Sequence, residues 1–166
     1  MKYYIIIRGP LGIGKTTIAK KLAAKLDATH ISIDSVLEEH GLDKANGRCI
    51  PAKNFIKANS IVLPSAKSAL AREKIVIFDG NFYHKKQLQH IIQGLKSPHY
   101  LFTLKAPLET CIKRDSKRKR RYGKEATTAV HTLVTRFDYG IVIDTDNKTA
   151  KKVAEEIMSY LAAKRN

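Results

Sequence analysis

Three glycines, a lysine and two threonines stand together in "GPLGIGKTT", residues 9–17. Gly9, Gly14, Lys15 and Thr16 fit G-x-x-x-x-G-K-[ST], a spacing that wraps nucleotide phosphates. Glycines open backbone conformations closed to other residues, so that Gly9, Gly12, Ile13, Gly14 and the residues after them can turn successive N–H groups inward on phosphate oxygens. Lys15 is then expected on the β- and γ-phosphates of ATP, and the Thr16 hydroxyl on Mg²⁺. Three further groups carry chemistry. Asp79 ends the apolar run "IVIFD" and suits a Mg²⁺ shell, or alternatively a cap for the Asp-Gly turn. Asp34 ends "HISID" and suits a base that orients an acceptor hydroxyl and takes its proton, or an N-cap for "SVLEEH", a task Ser35 could also perform. The cluster "KRDSKRKRR" at 113–121 places Arg114, Arg118 and Arg121 at i, i+4 and i+7, hence on one face if the segment is helical. There they could close over phosphates as a lid hinged near Gly123; a solvated face, a localisation-type run and a nucleic-acid docking patch compete with that reading.

These groups need a scaffold, and the alternation of patterns supplies one. Tyr3–Ile7 is β-branched and aromatic, as in a buried strand. From Lys15 to Leu26, Ile18, Leu22 and Leu26 recur at helical spacing. "HISID" reads as a second strand and 52–72 as a helix that Pro64 should kink or divide. "KIVIFDG" is a third strand, with Ile75–Phe78 suited to burial on both faces. Lys85–Gly94 reads as a helix stopped by Gly94, and His99–Leu104 as strand four. Pro107 suits the first turn of the next helix. "GIVIDT" is strand five, and Thr149–Lys164 a closing amphipathic helix. Alternating strands and helices imply a parallel sheet covered on both faces, with ligands at the carboxyl ends of its strands. Gly9–Thr16, Asp34, Asp79 and Asp144 all fall there.

The chain has 166 residues and no repeat or linker, so one domain spanning 1–166 is expected, with 114–128 as lid. No apolar run approaches the roughly 18–20 residues of a membrane span. Cys49 and Cys111 are far apart and suggest no disulfide framework, in keeping with a cytoplasmic protein. Thirty-one Lys and Arg against fifteen Asp and Glu give +16. Such a field attracts nucleotides, nucleic acids or acidic metabolites. Phe82 and Tyr83 are the aromatics best placed to stack on single-stranded bases. His40, Arg48, Lys53 and Lys57 are candidate acceptor contacts by location, or solvated surface residues.

In order, "GPLGIGKTT", "SIDS", "VIFDGNFYH", "CIKRDSKRKRR" and "GIVIDTD" resemble the small P-loop kinases of the nucleoside-monophosphate-kinase-like superfamily over almost the whole chain. The nearest group contains adenylylsulfate kinase, gluconate kinase and the kinase domain of polynucleotide kinase. The resemblance implies a three-layer α/β/α P-loop NTPase with a five-stranded parallel sheet in the order 2-3-1-4-5 and a short basic lid. It implies that Gly9, Gly12, Ile13, Gly14, Lys15, Thr16 and Thr17 bind ATP phosphates and that Asp34 faces the acceptor hydroxyl. Arg114 would lie near the adenine, Arg118 and Arg121 in the lid, and Asp144, Thr145 and Asp146 beside the base. Lys15, Asp34 and Arg118 are the expected catalytic groups; Thr16 and Asp79 are the expected metal ligands. Adenylylsulfate kinases have a longer acidic, asparagine-containing sequence in place of "SIDSVLEEH", and viral-type polynucleotide kinases add an arginine where Val36, Leu37 and Glu38 follow Asp34. The expected activity is therefore phosphoryl transfer from ATP to the hydroxyl of a small metabolite or nucleoside. A nucleic-acid terminus as acceptor, and an ATP-switched binding module without transfer, are the alternatives.

Overall fold

The computed structural model describes residues 2–163. Its core is a five-stranded, wholly parallel sheet in the order β2-β3-β1-β4-β5, as the resemblance implied. The strands are β1 (Tyr4–Arg8), β2 (Thr29–Ser32), β3 (Val76–Gly80), β4 (His99–Lys105) and β5 (Ile141–Asp144). Side chains alternate across a strand, so β1 feeds two cores. Tyr4 and Ile6 join Phe78 and the helices α2 (Ile33–Glu39), α3 (Ala52–Ala71), α4 (Lys85–Leu95) and α6 (Lys124–Val134). Ile5 and Ile7 join Ile77 and Phe102 against α1 (Lys15–Leu26), α5 (Leu108–Ser116) and α7 (Ala150–Ala163). β1 and β3 are buried at every position, which explains their unbroken apolar runs. Among the described residues no helix is long and apolar enough to cross a membrane.

Several boundaries differ from expectation for definable reasons. β2 ends at Ser32, and Ile33 and Asp34 already belong to the first turn of α2. α3 runs undivided through Pro64. That proline is exposed, as is Ser60, whose carbonyl loses its helical partner. Gly94 does not stop α4. The helix continues to Leu95 and is capped by Lys96 in the left-handed region, while Gly94 lets α3 approach; a Cβ there would lie 2.8 Å from the Leu63 side chain. Pro107 stands just outside α5 as its N-cap. The closing helix is described from Ala150 to Ala163, so its expected end at Lys164 lies outside the described residues.

The largest difference concerns the basic cluster. α5 ends at Ser116, so Arg118 follows it in a bend and Arg121 in the irregular stretch beyond, and neither shares a helix face with Arg114. The cause is Asp115, almost fully buried, whose carboxylate accepts hydrogen bonds from the N–H groups of Tyr122 (3.1 Å) and Gly123 (3.0 Å). α6 then starts at Lys124 and buries Thr127, Leu133 and Val134. Arg8, the residue before the glycine loop, is wholly buried and ties β1 to the end of α6. It donates to the carbonyls of Val134 (2.8 Å) and Phe137 (2.9 Å) and to Thr103 Oγ1 (3.1 Å). Its guanidinium lies over the Phe137 ring, and burial brings its pKa down to about 10, so it stays charged.

Candidate active site

The glycine loop leaves β1 at the centre of the sheet. Gly12 (φ 77°) and Gly14 (φ 98°) both adopt left-handed conformations. Gly14 caps α1 without any side-chain hydrogen bond, leaving first-turn N–H groups for an anion. Gly12 also packs on α5 so closely that a Cβ would meet the Cys111 carbonyl oxygen at 2.3 Å. Gly9 lies behind the loop, against Ile13 and Leu104.

A cleft of about 470 Å³ opens over this loop. Its floor is Gly12, Ile13, Gly14, Lys15, Thr16 and Thr17, with Arg114 and Thr145 on one side, Asp34 on the other and Arg118 above. Those ten expected residues are brought together. The Lys15 ammonium is buried and donates to the Pro10 carbonyl (2.8 Å) and to Asn81 Oδ1 (3.0 Å). Burial pushes its pKa down, while Asp34 and Asp79 pull it up. Burial likewise pushes the Asp34 carboxyl above the ordinary range, against the restraining charge of Lys15. The Asn81 N–H reaches Asp34 Oδ1 at 3.4 Å, so one asparagine touches both charges.

Asp79 is wholly buried beneath the loop rather than in the cleft wall. One oxygen accepts from Thr16 Oγ1 (2.9 Å) and the other contacts His30 Nε2. A hydroxyl and a carboxylate side by side below a phosphate cradle fit Mg²⁺, which binds through few protein ligands, substrate phosphates and water. No group of three or more His, Cys, Asp or Glu able to hold a metal occurs among the described residues. On the β5 side Arg114 donates to the Thr145 carbonyl (2.7 Å) and Oγ1 (3.1 Å), fixing the loop before α7. Asp144 and Asp146 shape that loop: Asp144 accepts the Asp146 N–H, and Asp146 accepts from Thr110.

Other candidates lie elsewhere. Arg121 is exposed and outside the cleft, and Arg120 lines it instead. Arg120 pairs with Glu38 at 2.9 Å, and the Tyr122 hydroxyl reaches the same carboxylate at 3.5 Å. Phe82 is fully buried, and Tyr83 is buried with its hydroxyl accepting from the Ile50 N–H, so neither offers a stacking surface. His40, Arg48, Lys53 and Lys57 are exposed and outside the cleft; His40 and Lys57 line a separate shallow groove. Sequence reasoning missed Asn81, His30, Glu38, Arg120 and Tyr122. A signal existed for Glu38, four residues after Asp34 on one helix, and none for His30.

Comparison with known proteins agrees with this geometry. Residues 5–138 match the family described as AAA domain. A Pyrococcus abyssi protein named provisionally as an adenylate kinase is 27% identical over 95% of this chain and 83% of its own. The shikimate kinase of Caldicellulosiruptor bescii is 29% identical over 96% of each. The unliganded structure of a sugar kinase from Janibacter sp. HTCC2649 superposes with a TM-score of 0.80 at 15% identity, covering 98% of this chain and 95% of that one. The glycine cradle, the sheet order and these likenesses together show that the chain belongs to the AAA domain family, as a small P-loop kinase of the nucleoside-monophosphate-kinase-like group.

Proposed function

We propose that the protein transfers the γ-phosphoryl group of ATP to a hydroxyl of a small molecule, with Asp34 as base. The observation that carries this reading is the pairing of Lys15 and Asp34 in one cleft, bridged by Asn81. The acceptor oxygen attacks the γ-phosphorus and forms the new P–O bond. The bond from that phosphorus to the β,γ-bridging oxygen breaks, and ADP leaves with the electron pair. Asp34 takes the hydroxyl proton, a role its raised pKa favours over that of an ordinary aspartate. Lys15 and Arg118 neutralise charge on the moving phosphoryl. Thr16 and Asp79 would hold Mg²⁺, which when bound neutralises β- and γ-phosphate charge.

The residues 114–128 serve as the lid in this reading, within one unit spanning 1–166, and two free cysteines accord with a cytoplasmic setting. The charge of +16 and the exposed cations of 113–124 support nucleic acid as the second candidate acceptor. The test is to incubate the protein with γ-labelled ATP, Mg²⁺ and a pool of metabolites, nucleosides and RNA, and to identify the labelled product. Lys15→Ala should lose it. Full activity in that variant would remove this kinase reading, and ATP binding without any transfer would leave only an ATP-switched binding module.

A further inference from the structure

We infer that the acceptor is an uncharged or amine-bearing polyhydroxy compound, not a carboxylate- or phosphate-bearing one, and that Glu38 enforces this choice. The inference rests on the kinase reading and concerns the β2 end of the same cleft. β2 and β5 occupy opposite edges of the sheet, with β1 and its glycine loop between them. Four strand spacings of about 4.8 Å separate those edges by about 19 Å. A nucleotide lying on the loop with its base towards Arg114 and Thr145 leaves the β2 side for the acceptor.

That side is built from Ser32, Asp34, Ser35 and Glu38. Asp34 and Glu38 are four residues apart on α2, so both project from one face. Ionised carboxylates only accept hydrogen bonds, and serine hydroxyls can do so too. Such a wall fits a ligand that presents several O–H groups or an ammonium. An anionic acceptor would face two carboxylates, and the surroundings supply no compensating cation from β2, α2 or α3. His40, Arg48, Lys53 and Lys57 all stand outside the cleft. The cations that do face it come from elsewhere: on the β5 side Arg114 is bonded to the Thr145 carbonyl and Lys148 pairs with Glu156 at 2.8 Å. Lys15 is held by Pro10 and Asn81 under the phosphate site, and Arg118 lies over the Tyr122 ring. Arg120 is neutralised by Glu38 itself. Tyr122 remains 38% exposed at this end and offers an aromatic surface to the apolar face of a ring.

The experiment separates a metabolite extract at neutral pH on an anion exchanger. The flow-through holds neutral and cationic compounds; the retained fraction holds carboxylates, phosphates and RNA fragments. Each is incubated with the protein, Mg²⁺ and γ-labelled ATP. Label should appear in the flow-through, and a cation exchanger then tells neutral from amine-bearing acceptors. For the acceptor so identified, Glu38→Gln should raise KM about tenfold or more, with kcat within a few-fold and the KM for ATP unchanged. Arg120→Gln, which frees Glu38, should leave the acceptor KM unchanged or lower it. Label confined to the retained fraction would overturn the inference while the kinase reading stood. An unchanged acceptor KM in Glu38→Gln, or a tenfold rise in Arg120→Gln, would overturn the role of Glu38. No label in either fraction, with ATP bound, would remove the kinase reading and this inference with it.

Discussion

Gly12→Ala is the sharpest test of how the glycine loop is positioned. The new methyl carbon would lie 2.3 Å from the Cys111 carbonyl oxygen and 3.1 Å from its carbon. Both are backbone atoms of α5, so no rotamer change relieves the clash. Restoring ordinary contact needs a displacement of roughly 1 Å between loop and helix, and misplacement of that size can cost about 10²-fold in rate. α5 carries Arg114, whose link to the Ile13 carbonyl is already long at 3.4 Å. The left-handed φ of 77° adds about 1–2 kcal/mol for any non-glycine residue, and overpacking about 1–3 kcal/mol. Together these give about 2–5 kcal/mol, or a fall in Tm of roughly 4–20 °C at 2–4 °C per kcal/mol for a chain of this length. The assay is steady-state phosphoryl transfer with a melt of the same sample. Gly47→Ala is the control, with φ 71° and nothing within 4 Å of its Cβ, so it carries the backbone term alone. It should lower Tm by a few degrees and leave kcat/KM unchanged. Gly12→Ala with kcat/KM within threefold of the parent would refute the reasoning that this contact sets the site.

Asp34→Asn should reduce transfer by about 10²–10⁴-fold while ATP still binds, because an amide takes no proton. Its nucleotide-free Tm should rise. A carboxyl whose folded pKa is raised favours the fold below its unfolded pKa and loses that contribution as pH climbs through the folded value, so at neutral pH its charge is a burden the amide removes. In the parent, kcat/KM should fall with acidification at a pH above the ordinary aspartate value of about 3.9, as a pH–rate profile would show. Lys15→Ala should abolish turnover, because the β- and γ-phosphates lose their principal side-chain partner; a labelled-transfer assay checks it. Arg8→Met should cost about 3–5 kcal/mol, since breaking a buried charged network strands its partners, here the carbonyls of Val134 and Phe137. That is a fall in Tm of roughly 6–20 °C by calorimetry.

The glycine loop was legible because its chemistry is local: successive residues must turn their N–H groups to one anion, and only certain types allow it. The strand interiors were legible because burial on both faces leaves unbroken apolar runs. α6 was not. Its segment "KEATTAVHTLV" is rich in threonine and valine, which form helices weakly, and its buried Thr127, Leu133 and Val134 hold it against the sheet. The Arg121 expectation failed because helical spacing was carried past Ser116, where Asp115 takes two backbone N–H groups and turns the chain. Phe82 looked like a stacking surface beside the Asp-Gly turn. Its positive φ of 48° points it instead into the core beneath Gly80 and Ile33. Asn81 meets Lys15 across dozens of residues of sequence, and no local pattern marks such a pair.

The two ends of the cleft differ in how their charges are held, and this bears on which end moves. Arg114 is half-buried and bonded to the Thr145 backbone and hydroxyl, so its guanidinium is a fixed part of the β5-side wall. Lys15 and Asp34 are each shifted by burial towards neutrality, and each is restrained from it by the other. In the reaction proposed, phosphate oxygens arriving at Lys15 and hydroxyl hydrogens arriving at Asp34 would relieve what burial imposes, so the pair would favour both substrates over an empty cleft. Arg118 and Arg120 are exposed, with single ion pairs to Asp115 (3.9 Å) and Glu38 (2.9 Å), and exposed pairs are worth only about 0–1 kcal/mol. In the proposed kinase the Arg118 guanidinium is therefore the one free to transfer to incoming phosphates. Of the eight cations between 113 and 124, only Arg114, Arg118 and Arg120 line the cleft. The other five are exposed and lie outside the cleft lining, where their field would raise the local concentration of polyanions. In the reading proposed, capture belongs to that outer charge, and selection to the small acidic wall on α2.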